Sequence, residues 1–184
     1  MTPGRGRARL TLTRITMVAA IALATAAPAF AKPIKVTMNR ITASGVGASI
    51  GTITIEDTNG QVTLIPDLKG LPPGEHGFHL HELPSCAPAD KDGKKVAGLA
   101  AGGHFDPDAT DSHKGPGGGG HDGDLPKLVV SPKGQAKQRL EIKGLKLDDF
   151  RGKALVIHAG GDNYSDTPAP LGGGGERIAC GVVK

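Results

Sequence analysis

The chain has 184 residues, among them 29 Gly, 14 Pro and 2 Cys, with no Trp and a single Tyr; this length is that of one domain with its own core. Its formal net charge of +4 comes from Arg5, Arg7, Arg9 and Arg14, because removing those 4 from the 22 Lys plus Arg leaves 18 basic against 18 acidic side chains. Such a balance, with few aromatics and no basic block, excludes a nucleic-acid partner, which demands phosphate neutralisation and commonly base stacking.

Residues 1–31 have the layout of a secretory signal: the arginines, an apolar run from Met17 to Ala27, then Ala29-Phe30-Ala31 as a small-x-small cleavage site. Cleavage after Ala31 is expected, leaving residues 32–184 as an exported, periplasmic domain. The apolar run is shorter than the roughly 20 residues of a spanning helix, so no membrane partner is expected for the mature form. No Cys stands at the cleavage site to carry a lipid, and no Arg-Arg pair precedes the apolar run. Export places Cys86 and Cys180 in an oxidising compartment, where one structural disulfide is expected. On the chain-entropy model so long a closed loop contributes roughly 4–5 kcal/mol.

Period-two alternation rich in Val, Ile and Thr predicts strands over Ile34–Met38, Ala48–Ile55 and Gln61–Leu68. Asn59-Gly60 between the second and third is a hairpin signal, since both residues tolerate positive φ. Pro72-Pro73-Gly74 turns the chain into a strand over Glu75–Glu82. From Leu83 to Pro126 no period holds; a segment that long without regular structure is functional or disordered. Strands resume over Lys127–Val130, Gln135–Ile142, Lys153–His158 and Arg177–Val183, with a short helical turn at Asp148–Gly152. About eight short strands and no amphipathic helix predict an all-β, antiparallel sandwich or barrel. Its core is expected to be Val, Ile, Leu and Ala. The runs Gly117–Gly120 and Gly172–Gly175 are read as sharp bends beside a site rather than as linkers.

All seven His lie between residues 76 and 158. On a strand, His79 and His81 share a face and Leu80 takes the other, so the pair suits one metal; two unrelated His on a solvated face fit the same pattern. His104, His113, His121 and Asp124 form a second set, three imidazoles and a carboxylate that suit tetrahedral Zn²⁺. A metal would order a loop that has few apolar residues; an exposed, disordered loop is the alternative. His158 closes one predicted strand.

These stretches resemble the copper,zinc superoxide dismutases of the exported bacterial type. The likeness rests on Gly77-Phe78-His79-Leu80-His81-Glu82, Gly103-His104-Phe105-Asp106-Pro107, His121-Asp122-Gly123-Asp124-Leu125, Gly160-Gly161-Asp162-Asn163-Tyr164-Ser165-Asp166 and Arg177-Ile178-Ala179-Cys180-Gly181-Val182. The resemblance implies an eight-stranded antiparallel Greek-key β-barrel with long metal-binding and active-site loops. It implies copper on His79, His81, His104 and His158, and zinc on His104, His113, His121 and Asp124, so that His104 serves both ions. Asp162 is expected to hydrogen-bond a ligand ring of each metal, in preference to Asp166, and His76 to lie beside the copper site. Cys86 and Cys180 correspond to the family disulfide, which positions Arg177.

The implied reaction is the disproportionation of superoxide to dioxygen and hydrogen peroxide by a copper that cycles beside a redox-silent zinc. His104 and Arg177 are the catalytic residues that this implies, one managing a proton and the other attracting the anion. Lys91, Lys94 and Lys95 are candidates for the rest of the attracting field, which Glu176 opposes. The chain is expected to act as a monomer or homodimer. Two other readings use the same residues: a dinuclear zinc hydrolase, which needs more carboxylates, and a non-enzymatic exported copper/zinc-binding module, which has no need of Arg177.

Overall fold

The computed structural model describes Met1 and residues 32–184; the predicted signal segment otherwise lies outside the described residues. Alternation decides the first strands. In β1 (Ile34–Thr42), Ile34, Val36 and Met38 point inward while Lys35 and Thr37 face solvent. β2 (Gly45–Thr58) and β3 (Gln61–Lys69) follow, joined by Asn59 and Gly60 at φ 56° and 84°. The Asp57 carboxylate accepts the Gly60 N–H at 2.7 Å and fixes that turn.

The remaining strands are β4 (Gly74–His76), β5 (Phe78–His81), β6 (Ala89–Lys91), β7 (Lys94–Val96), β8 (Leu128–Val130), β9 (Gln135–Ala136), β10 (Leu140–Ile142), β11 (Ala154–His158) and β12 (Arg177–Val182). One antiparallel eight-stranded sheet runs β10-β3-β2-β1-β12-β11-β5, with β9 also on β3. It curls around the main core. Two short ribbons, β4–β8 and β6–β7, pair outside that sheet. The first and last strands are neighbours, paired through Asn39–Cys180 and Arg40–Ala179.

Four parts of the chain differ in detail from the sequence reading. The strand expected over residues 75–82 is two strands on different partners, β4 on β8 and β5 on β11. The break is at Gly77, whose N–H donates to the Gly160 carbonyl and whose carbonyl accepts from His158 N–H, both at 2.8 Å. Residues 135–142 likewise split into β9 and β10, both on β3. Within the segment read as aperiodic, β6 and β7 form a hairpin about Asp92 and Gly93, at φ 52° and 75°. The helical turn is a 3-10 turn at Leu147–Phe150.

The core contains more than the aliphatic residues expected. Phe78, Phe150 and Met38 are fully buried among Ile53, Ile55, Leu64, Leu80, Leu155 and Ile157. A smaller apolar group, Ile41, Ala101, Ala154 and Val156, surrounds the Cys86–Cys180 disulfide, so the expected pairing is present. The register then sorts the faces. Phe78 and Leu80 of β5 and Leu155 and Ile157 of β11 enter the main core, leaving His79, His81 and His158 together on the opposite face.

Candidate metal centre

The free edge of β5 draws the aperiodic segment into place. Leu80 N–H donates to the Gly123 carbonyl at 2.9 Å, and the Leu80 carbonyl accepts from Phe105 N–H at 2.8 Å. These bonds place His104 opposite His81 and Asp124 opposite His79 in antiparallel bridges, and directly opposed residues share a face. Two candidate ligands distant in sequence thus meet the strand-borne histidines through backbone pairing.

Nitrogen atoms of His79, His81, His104 and His158 lie within 4.8 Å of one another, and ligand atoms of His79, His104, His113 and Asp124 form a second group by the same measure. His79 and His104 belong to both. His121 lies outside these tight groups but reaches the second through Asp124, with Nδ1 3.3 Å from Oδ1. That same oxygen is 2.9 Å from Nδ1 of both His104 and His113.

Each ring is held by one nitrogen. His79 Nε2 is 2.8 Å from Asp162 Oδ2, and His113 Nε2 is 2.8 Å from Asp162 Oδ1. His81 Nδ1 faces the Gly102 carbonyl at 2.9 Å, and His158 Nδ1 the Gly175 carbonyl at 3.1 Å. The other nitrogens of these rings and His104 Nε2 are buried with no hydrogen-bond partner. His113 Nδ1 is among them, because its approach to Asp124 is off the hydrogen-bond direction. A ring that donates from one nitrogen presents a lone pair at the other, and an orphaned buried polar atom costs about 1–3 kcal/mol. Five such atoms converging on two small volumes fit bound metal ions, with donors of the kind copper and zinc prefer.

Burial sets the protonation of the first group. Desolvation holds His79 and His81 below the ordinary value of 6.5, and takes His104 to about 4 and His158 to about 3. Arg177 adds to this at His81 and His158. Neutral rings are the metal-binding form. His113 behaves oppositely: burial disfavours its charge, but the Asp124 and Asp162 carboxylates on either side outweigh burial and raise it to about 9. Although desolvation acts against the charged forms of Asp124 and Asp162 as well, the surrounding rings hold both carboxyls well below the usual range.

Arg177, on β12, turns its guanidinium toward the loop after the disulfide, with Nη1 donating to the Gly98 carbonyl at 2.6 Å and Nη2 to that of Gly102 at 2.7 Å. His76 is buried, with its two ring nitrogens 2.7 Å from the His158 carbonyl and 2.8 Å from that of Pro72. Among the described residues Asp166 has no hydrogen bond or ion pair to an imidazole; it accepts the backbone N–H of His113 and Leu171 and caps the loop.

The model of the family described as copper/zinc superoxide dismutase matches residues 49–183. The chain belongs to that family. It is 55% identical over 177 residues to superoxide dismutase [Cu-Zn] 2 of Salmonella typhimurium, covering 96% of this chain and 99% of that protein. The monomeric copper, zinc superoxide dismutase of Salmonella enterica superposes with TM-score 0.75 at 58% identity, covering 83% of this chain and 100% of the other. The Brucella abortus Cu/Zn superoxide dismutase gives TM-score 0.81 at 47% identity, with the same coverage of 83% and 100%. Fold, activity and the two metals expected from the sequence are those of this family, and neither the hydrolase nor the binding-module reading is favoured.

Two contributors to this superoxide dismutase site, Glu82 and Tyr164, stand in the stretches that carry the family likeness without a role of their own, and a third, Gly172, reads in sequence only as one of a run of bends. Glu82 Oε1 accepts the Gly103 N–H at 2.9 Å, beside His104. Tyr164 donates its N–H to Asp162 Oδ1 at 2.7 Å, while its hydroxyl accepts Lys127 N–H at 3.0 Å and its ring covers Gly115. Gly172, at φ 71°, lies so close to Asp162 Oδ1 and His113 that a Cβ would collide with both. On the hairpin, Lys95 is paired with Asp90 at 2.8 Å, which reduces what it adds to any attracting field.

Proposed function

We propose that His79, His81, His104 and His158 hold copper, that His104, His113, His121 and Asp124 hold zinc, and that Arg177 receives superoxide beside the first group. The observation that carries this reading is the set of five orphaned, buried ring nitrogens, four on the rings of the first group and one on His113 in the second, in two groups that have His79 and His104 in common. When bound, copper supplies one-electron exchange and zinc supplies fixed positive charge without redox chemistry.

The reaction turns two superoxide anions and two protons into dioxygen and hydrogen peroxide, one anion being oxidised and the other reduced. The chain's own residues provide charge, orientation and a proton. The Arg177 guanidinium has five N–H donors; the Gly98 and Gly102 carbonyls take one from each terminal nitrogen and fix its plane. The remaining donors are available to a small anion, and a focused positive field raises its encounter rate by about 10–10³. His104 is anchored through Nδ1 to Asp124 and has Nε2 free of any partner. Nε2 is therefore the atom at which a proton is held and passed to the reduced product. Asp162 fixes the tautomer and tilt of His79 and His113 together.

The compartment is the bacterial periplasm, reached through cleavage after Ala31. This is supported by the Cys86–Cys180 disulfide, which a reducing cytosol does not maintain. The working form is a monomer, in line with the Salmonella enterica relative named as monomeric; sedimentation as a dimer at micromolar concentration would refute it.

Metal analysis with the Cu(II) electron paramagnetic resonance spectrum tests the assignment. The oxidised protein should take up one copper and one zinc, and His104→Ala should change the spectrum and weaken both ions. A change confined to one metal would overturn the shared-ring assignment. Arg177→Ala should keep its copper and lose about tenfold or more in kcat/KM; unaltered activity would favour the binding-module reading.

A further inference from the structure

We infer that Glu82 is a positioning residue for superoxide capture, acting through the single peptide unit between Gly102 and Gly103. This inference rests on the role assigned above to Arg177. Two ends of that peptide are engaged by groups that matter to the site. Its carbonyl, on Gly102, faces His81 Nδ1 at 2.9 Å and accepts Arg177 Nη2 at 2.7 Å. Its N–H, on Gly103, donates to Glu82 Oε1 at 2.9 Å. A second bond, from Glu82 N–H to the Gly103 carbonyl at 3.2 Å, closes the pair.

The arrangement is oriented along the peptide dipole, with a carboxylate at the positive N–H end and donors at the negative carbonyl end. A charged acceptor on an amide N–H polarises the amide and makes its carbonyl a stronger acceptor. Glu82 thereby tightens the contact that holds the guanidinium in plane and the one that fixes the His81 tautomer. The backbone is shaped for this contact. Gly102 has φ 77° and ψ −157°, a region open essentially to Gly, and a Cβ there would strike the Glu82 side chain. Glu82 is exposed and forms no ion pair among the described residues, so the Gly103 N–H is the partner that the structure gives it.

Charge alone predicts the reverse effect. A carboxylate next to an anion's route repels superoxide, so if Glu82 had no positioning role its removal would speed capture at low ionic strength. Positioning makes removal slow it.

The experiment compares E82A and E82Q in the full mature chain. In the copper- and zinc-loaded enzyme, kcat/KM at low salt should fall roughly two- to tenfold in E82A, and E82Q, which keeps an acceptor oxygen, should recover part of that loss. In the metal-free protein, phenylglyoxal modification of Arg177, followed by peptide mapping, should be several-fold faster in E82A than in wild type and intermediate in E82Q. A rise in kcat/KM in E82A, or Arg177 modification at the wild-type rate, would overturn the proposal. If Arg177→Ala itself leaves kcat/KM unchanged while E82A speeds the modification, the role of Arg177 fails and the positioning contact stands.

Discussion

His79, His81 and His158 stand on two paired strands with Leu80, Leu155 and Ile157 packed behind them, whereas His113 and His121 stand on a segment with no regular structure. The first set is placed by β-register and hydrophobic burial, and its rings are kept neutral by desolvation. The second is placed by carboxylates: Asp124 gathers His104, His113 and His121, and its other oxygen accepts the N–H groups of Lys114 and Gly115 at 3.1 and 3.3 Å. A site can therefore be rigid for two different physical reasons, and the two should respond in opposite ways to pH.

The largest effect concerns the metal-free chain. His104 and His158 have folded-state values of about 4 and 3, below the ordinary 6.5, so the unfolded chain takes up protons that the folded one refuses. Stability should fall as pH drops from about 6.5 toward 3, by on the order of 1.4 kcal/mol per pH unit for each ring at most. His113, raised to about 9, stabilises fully below 6.5, and that contribution is lost as pH rises through 9. Denaturant unfolding of the metal-free protein should thus show a maximum near neutrality; a profile that rises steadily on either side would break the contrast.

Removing the gathering carboxylate comes next. Asp124→Asn should weaken zinc by at least about 100-fold in a chelator competition, while copper stays on the strand-borne rings; equal loss of both metals would show that the strand set depends on the loop. Gly172→Ala forces positive φ on an Ala and a methyl into Asp162 and His113, and should lower stability by about 1–3 kcal/mol. Thermal unfolding with and without zinc measures it, and a silent substitution would mean the loop yields freely. The smallest change is expected at the hairpin. Neutralising Lys91, Lys94 and Lys95 should alter kcat/KM only at low ionic strength, with Lys95 least, since Asp90 already pairs it; unchanged salt dependence would remove them from the substrate's route.

The sequence made the strand-borne half legible because β-structure writes its faces into alternation: Ile34, Val36 and Met38 turn inward as their spacing requires, and Asn59-Gly60 turns where it should. The strand over residues 75–82 was misread as continuous because the break at Gly77 depends on Gly160 and His158, partners some 80 residues away in the chain. Asp92-Gly93 carried a hairpin signal inside the aperiodic segment, hidden by the lack of apolar alternation around it. The histidines and Asp124 that the structure gathers stood out in the sequence by their type and clustering. Their supports did not, because Glu82 and Tyr164 act through backbone N–H groups, and such contacts leave no residue pattern.

The adjacency of β1 and β12 governs how the sheet can close. Without residues 177–182 the eight-stranded sheet falls into two pieces, β10-β3-β2-β1 on one side and β11-β5 on the other. Closing the sheet therefore joins segments far apart in sequence, and the loop-closure entropy of such pairing makes it slow. Until that last strand docks, the facing edges of β1 and β11 stand unpaired and are open to wrong strand pairing.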